Sequence, residues 1–102
     1  MNILGVIAGV LLAAGGIVRI QSTIDFPNAT VGACTDLNVS SSAAATGQSV
    51  LVGPPLAAMV AGSVFMATVS ATNVITVRHC CSQPPGCNPG PGVFTLWLFA
   101  YP

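Results

Sequence analysis

Much of the chain alternates apolar and polar residues with a period of two, the pattern of β-strands that bury one face. The pattern is clearest where Val18, Ile20, Ile24 and Phe26 alternate with polar residues. A second stretch repeats it from Thr35 onward. The predicted strands are residues 17–26, 35–40, 48–52, 63–71, 73–81 and 93–101.

Turn-forming residues separate these strands. Pro27-Asn28 ends the first strand, residues 41–47 form a small polar loop, and Thr72-Asn73 predicts a tight turn. Residues 82–92 contain four prolines and three glycines, which predicts a loop. Residues 56–62 are predicted to form an apolar connection that packs under the sheets. Six short strands without a soluble helix predict an all-β fold, a small antiparallel, jelly-roll-like β-sandwich over residues 17–102.

The N-terminal segment, residues 1–16, has a different character, since residues 1–18 contain no charge and little polarity. It is predicted to be an apolar arm or helix. Three interpretations are open: a signal peptide, a membrane anchor that contacts lipid, or an arm buried in an assembly. The apolar side chains of this predicted anchor or arm are Ile3, Leu4, Val6, Ile7, Val10, Leu11 and Leu12.

Charge is scarce: 53% of the residues are hydrophobic and 4% are charged, with a formal net charge of zero. The only charged residues are Arg19, Asp25, Asp36 and Arg78. Two scattered arginines cannot neutralise a phosphate backbone, which argues against nucleic-acid binding. High hydrophobicity with no net charge argues against disorder. Dispersed monomers usually keep net charge, so we expect much of the surface to be covered by other copies, a larger shell or lipid.

The four cysteines, Cys34, Cys80, Cys81 and Cys87, are candidates for disulfides or buried thiols. Their spacing does not fit a zinc site, and adjacent strand residues point to opposite faces. Pairing of Cys80 or Cys81 with Cys87 across the loop is one option, and Cys34 is an alternative partner. No metal or other cofactor is predicted.

No catalytic residue is predicted. His79 is the only histidine, and we expect it at the surface or in an interface rather than beside a nucleophilic thiolate. The only carboxylates, Asp25 and Asp36, fall at solvent-facing positions of the alternation.

The last predicted strand, residues 93–101, is apolar on both faces, which predicts a core on one side and a partner protein on the other. The candidate interface residues are Phe94, Leu96, Trp97, Leu98, Phe99 and Tyr101.

Residues 23–27, 34–39, 44–55 and 69–78 resemble a small module of structural proteins in tailed phages. The last stretch, VSATNVITVR, looks like the strand–turn–strand of that module, and the resemblance covers residues 17–101. It implies a β-sandwich without catalytic residues. The implied role is a virion component: a capsid decoration or cement protein, a minor capsid subunit or a fibre subunit.

The resemblance also implies partners: a homo-oligomer, often a trimer, in contact with major capsid or other virion proteins. The alternative is a membrane-anchored or secreted cellular β-module that uses residues 1–18 as its anchor.

Overall fold

The computed structural model describes residues 16–99, and within them the predicted β-sandwich is confirmed. Two three-stranded antiparallel sheets stack on one another. The strands are β1 (Ile17–Phe26), β2 (Cys34–Ser40), β3 (Ser49–Gly53), β4 (Ser63–Ala71), β5 (Val74–Cys81) and β6 (Gly90–Phe99). The first sheet has the order β1-β6-β3 and the second has the order β2-β5-β4.

The β4–β5 hairpin forms at the predicted turn. Asn73 has a φ of 65°, a left-handed conformation that asparagine tolerates better than most residues. The ladder shifts register between Val69 and Ala71, just before this turn. The hairpin places Phe65 opposite His79 and Val69 opposite Ile75.

The core lies between the two sheets and takes alternate residues of each strand. Its fully buried members include Phe26 of β1, Ile75 and Val77 of β5, and Phe94 of β6. Because successive strand residues point to opposite faces, the odd-numbered residues of β1 lie on the outer face of the first sheet.

The last strand begins three residues earlier than the sequence predicts. Gly90 and Pro91 pair with Phe26 and Asp25 of β1, although residues 82–92 were expected to be loop throughout. Since β3 ends opposite Thr95, residues 90–92 have, within residues 16–99, a strand neighbour on one side only. A proline is tolerated at such an edge position because no ladder hydrogen bond is needed from it.

The connection from β3 to β4 contains a short 3₁₀ helix, Leu56–Ala58. The expectation that this apolar segment packs under the sheets holds for Ala58, which is fully buried. It is wrong for Leu56 and Met59, which are 88% and 64% exposed.

The predicted arm or anchor falls almost entirely outside the described residues, as does Tyr101. From residue 16 to residue 99 there is no helix with the length and hydropathy needed to cross a bilayer.

Candidate interaction surface

The outer face of the first sheet carries a group of exposed apolar side chains, here called the apolar face. Leu51 of β3 is 58% exposed, Val93 of β6 is 50% exposed, and Ile17 and Trp97 are about equally accessible, at 41% and 40%. The register places Trp97 in the middle of this sheet, directly opposite Leu51. Phe99, which is half-buried, completes the apolar face opposite Ile17.

One cation lies within the apolar face. Arg19 is the cross-strand neighbour of Trp97, and its guanidinium carbon is 5.9 Å from the centre of the indole ring. At this distance a guanidinium is attracted to the face of an aromatic ring. Arg19 and Trp97 therefore form a cation–π pair on the apolar face, which presents both an aromatic surface and a positive charge to a partner.

The outer face of the second sheet is more polar. Asp36 and Arg78 lie directly opposite each other, with Asp36 Oδ1 accepting from Arg78 Nε at 2.7 Å and Oδ2 accepting from Nη2 at 2.9 Å. These hydrogen bonds lower the pKa of Asp36 and raise that of Arg78. Thr76 donates to the amide oxygen of Asn38 at 2.9 Å in the next row.

Two exposed apolar residues, Val64 and Met66, also lie on the outer face of the second sheet, along the edge strand β4. Met66 is opposite Arg78 and lines, with it, a shallow open pocket of about 210 Å³. The apolar residues here flank a formed ion pair. The exposed apolar residues of the first sheet instead surround the indole of Trp97. The outer face of the first sheet is therefore the better candidate for contact with a partner protein.

All four cysteines form disulfides, which resolves the alternatives left open by the sequence. Cys34 pairs with Cys80, its opposite neighbour on β5, and Cys81 pairs with Cys87 across the loop before β6. Cys81 and Cys87 are buried with Ala29 in a small second cluster, at one end of the sandwich. The thiol chemistry of the chain is thereby used for cross-linking.

His79 is not at the surface, and the prediction of a surface or interface histidine is wrong. Its side chain is fully buried and packs with tilted rings against Phe65, with ring centroids 4.9 Å apart, and against Phe26 at 5.5 Å. Nε2 lies 2.8 Å from the Ser63 hydroxyl, whereas Nδ1 has no hydrogen-bond partner among residues 16–99. Burial lowers the pKa of His79, since the charged ring would lose its hydration.

The two carboxylates are kept apart. Asp25 and Asp36 are exposed, as predicted, and they lie on the outer faces of different sheets. In the described part of the chain no three His, Cys, Asp or Glu residues come together in a way that could hold a metal ion. A shallow open pocket of about 260 Å³ adjoins the Ala29–Cys87 bridge, and no ionisable side chain lines it.

Three of the predicted interface residues are corrected by this geometry. Phe94, Leu96 and Leu98 are fully buried in the core of the sandwich, so no partner can reach them. Trp97 and Phe99 occupy the opposite face of the same strand. Leu51 and Val93 were not among the predicted interface residues, although Val93 shares the outward alternation of Trp97 and Phe99.

Comparisons with known proteins return no match: no family model, no curated protein and no solved structure resembles the chain significantly. The class of molecule is therefore defined by its geometry, as a disulfide-linked antiparallel β-sandwich with one apolar outer face.

Proposed function

We propose that this protein is a non-enzymatic structural module that assembles with other protein subunits through its apolar face. The observation that carries the proposal is the row formed by Trp97 and Leu51 at the centre of the first sheet, with both side chains exposed. Aromatic residues are enriched in protein interfaces, and an exposed apolar patch on a small domain marks a contact site.

The positions of the reactive groups support a structural role. The cysteines are disulfide-bonded, and the histidine is packed inside an aromatic cluster. The low charge supports it too, because four charged residues with a formal net charge of zero provide little electrostatic repulsion between subunits.

We propose further that the assembly is a virion. In it the chain acts as a capsid decoration or cement protein, a minor capsid subunit or a fibre subunit. This finer proposal rests on the resemblance of residues 17–101 to the tailed-phage module. It is tested by mass spectrometry of purified virus particles, which should contain the chain in a fixed ratio to the major capsid protein. Recovery of the full-length chain from carbonate-washed cellular membranes instead would contradict it.

The apolar face itself is tested by substitution of Leu51. Leu51→Lys places a charge beside Trp97 on the exposed side of β3, so we expect weaker association in analytical ultracentrifugation without a loss of fold. The matched control is Thr68→Lys, an exposed position on the outer face of the second sheet. Equal behaviour of the two variants would show that the apolar face is not the contact surface.

A further inference from the structure

Strand β1 has the properties of an edge strand that can pair with a further β-strand. In residues 16–99 it has one ladder partner, β6, so its other edge lacks a paired strand. It runs for ten residues without a register shift, and the first proline comes only at Pro27. Such long, regular edges pair readily with further strands unless they are protected.

The other edge strands are less suited to this role. Strand β3 is only five residues long, and β4 contains the register shift between Val69 and Ala71. Strand β2 is seven residues long and starts at the disulfide of Cys34. Strand β1 is thus the longest described edge and the most regular.

The charges on β1 are arranged symmetrically. Arg19 and Asp25 both lie on the outer face, each three residues from Ser22. The other two charged residues, Asp36 and Arg78, show how this fold places opposite charges, since they pair directly across two antiparallel strands. No described ion pair joins Arg19 to Asp25.

We propose that β1 pairs antiparallel with β1 of a second copy of the chain, about a two-fold axis through Ser22. In this register Arg19 of each copy lies opposite Asp25 of the other, which gives two cross-strand ion pairs. Ile20 then lies opposite Ile24, and Val18 lies opposite Phe26. Pro27 follows the last of these pairs and, lacking an N–H donor, limits the added ladder.

The register keeps every side chain on its own face. The numbers of paired residues add up to an even sum, so outward residues meet outward residues and inward residues meet inward residues. The two first sheets become one six-stranded sheet with the order β3-β6-β1-β1-β6-β3. This isologous contact uses the strand edge, so it goes beyond the proposed role of the apolar face.

Charge reversal tests the ion pairs. In the full chain carrying Leu51→Lys, which weakens contacts through the apolar face, we would measure dimerisation by sedimentation equilibrium at low salt. Arg19→Asp or Asp25→Arg alone replaces two attractive pairs by two repulsive ones, which should weaken dimerisation by about tenfold or more. The double variant Arg19→Asp/Asp25→Arg recreates both pairs with reversed polarity and should restore dimerisation.

The matched control is the double reversal Asp36→Arg/Arg78→Asp, which swaps an ion pair inside one copy and should leave dimerisation unchanged. Circular dichroism of each variant checks that the sandwich is folded. Unchanged dimerisation in both single variants, or failure of the folded double variant to recover, would overturn the proposed register.

A cross-link tests the position of the axis. The four native cysteines are all paired, so Ser22→Cys adds a single free thiol to the chain. Residues opposite each other in an antiparallel ladder have Cα atoms about 4.5–5.5 Å apart, within the range of a disulfide. Mild oxidation should therefore give a covalent dimer.

Ser49→Cys, on the opposite edge of the same sheet, is the matched control and should remain largely monomeric under the same oxidation. Equal cross-linking of both variants, or none at Ser22→Cys, would overturn the proposal and leave the edge to another occupant.

Discussion

The imidazole of His79 and the hydroxyl of Ser63 lie 2.8 Å apart where β4 and β5 meet the aromatic cluster. Either group can act as the donor, depending on the tautomer of the ring. Ser63 is half-buried, and His79 is fully buried against Phe26 and Phe65. The neutral ring is therefore accommodated, whereas a charged ring would face an apolar core. The charged side chains of the described region lie on the outer faces of the sheets.

Acid should destabilise the fold through His79. Its pKa is lowered from the ordinary value of 6.5 in the folded state, so the unfolded chain binds the proton more readily. Stability should be full above pH 6.5 and decrease as the pH falls from there to the folded-state pKa, by at most about 1.4 kcal/mol per pH unit. Urea unfolding at a series of pH values measures this slope.

His79→Gln is the control, since the amide can still bond Ser63 but does not titrate. The slope below pH 6.5 should disappear in this variant. Asp36, with a lowered pKa, contributes only at more acidic pH, below its ordinary value of 3.8. An unchanged slope in His79→Gln would assign the acid sensitivity to another group.

The two disulfides should differ in their contribution to stability. Cys34–Cys80 spans 46 residues and Cys81–Cys87 spans six, and the cost of closing a loop in the unfolded chain grows with its length. We expect Cys34→Ala/Cys80→Ala to lower the free energy of unfolding by about 4 kcal/mol and Cys81→Ala/Cys87→Ala by about 2 kcal/mol. Thermal and urea denaturation of the double variants provides the comparison, and an inverted order would contradict the loop-length argument.

Substitutions at two neighbouring residues of β6 should distinguish a role in folding stability from a role in self-association. Leu96 is fully buried, so Leu96→Ala should cost about 2–5 kcal/mol of folding free energy. Trp97 is 40% exposed on the opposite face, and Trp97→Gln should cost much less. Trp97→Gln should nevertheless weaken self-association in sedimentation experiments, because it removes the aromatic centre of the apolar face. A large stability loss with unchanged association would give Trp97 a purely structural role.

Gly62 should tolerate alanine less well than Gly47. Both have left-handed φ values, +84° and +92°, so both substitutions carry a similar backbone cost. A Cβ on Gly62 would lie 2.8 Å from the Cβ of Gln83 and 2.9 Å from its backbone nitrogen, whereas a Cβ on Gly47 meets nothing within 4 Å. Gly62→Ala should therefore be more destabilising than Gly47→Ala by about 1 kcal/mol or more, measured by thermal unfolding.

The alternation of side chains made the sandwich predictable, because a local period of two directly determines which residues face the core. The same pattern placed His79 on the inward face with Ile75 and Val77, yet its polar character favoured the surface. The aromatic contacts that accommodate it come from Phe65, across the β4–β5 hairpin, and from Phe26 of β1, which is distant in sequence.

Long-range pairing limits the prediction elsewhere. The Cys34–Cys80 bond depends on the register of β2 against β5, which local spacing cannot give. The start of β6 at Gly90 likewise depends on the ladder with β1, which overrides the loop character of a Pro- and Gly-rich segment. The importance of Leu51 emerges only when β3 is placed beside Trp97.

The adjacent residues Cys80 and Cys81 give the sandwich a mechanical property. One bond leads from Cys80 to β2 in the second sheet, and the other leads from Cys81 to Cys87, three residues before β6 of the first sheet begins. Tension applied between the last strand and β2 is therefore carried by a short covalent path through one dipeptide, without unravelling the loop or the β4–β5 hairpin. In a single-molecule experiment that pulls the chain at Gly90 and at a residue next to Cys34, the oxidised chain should extend far less than the reduced chain.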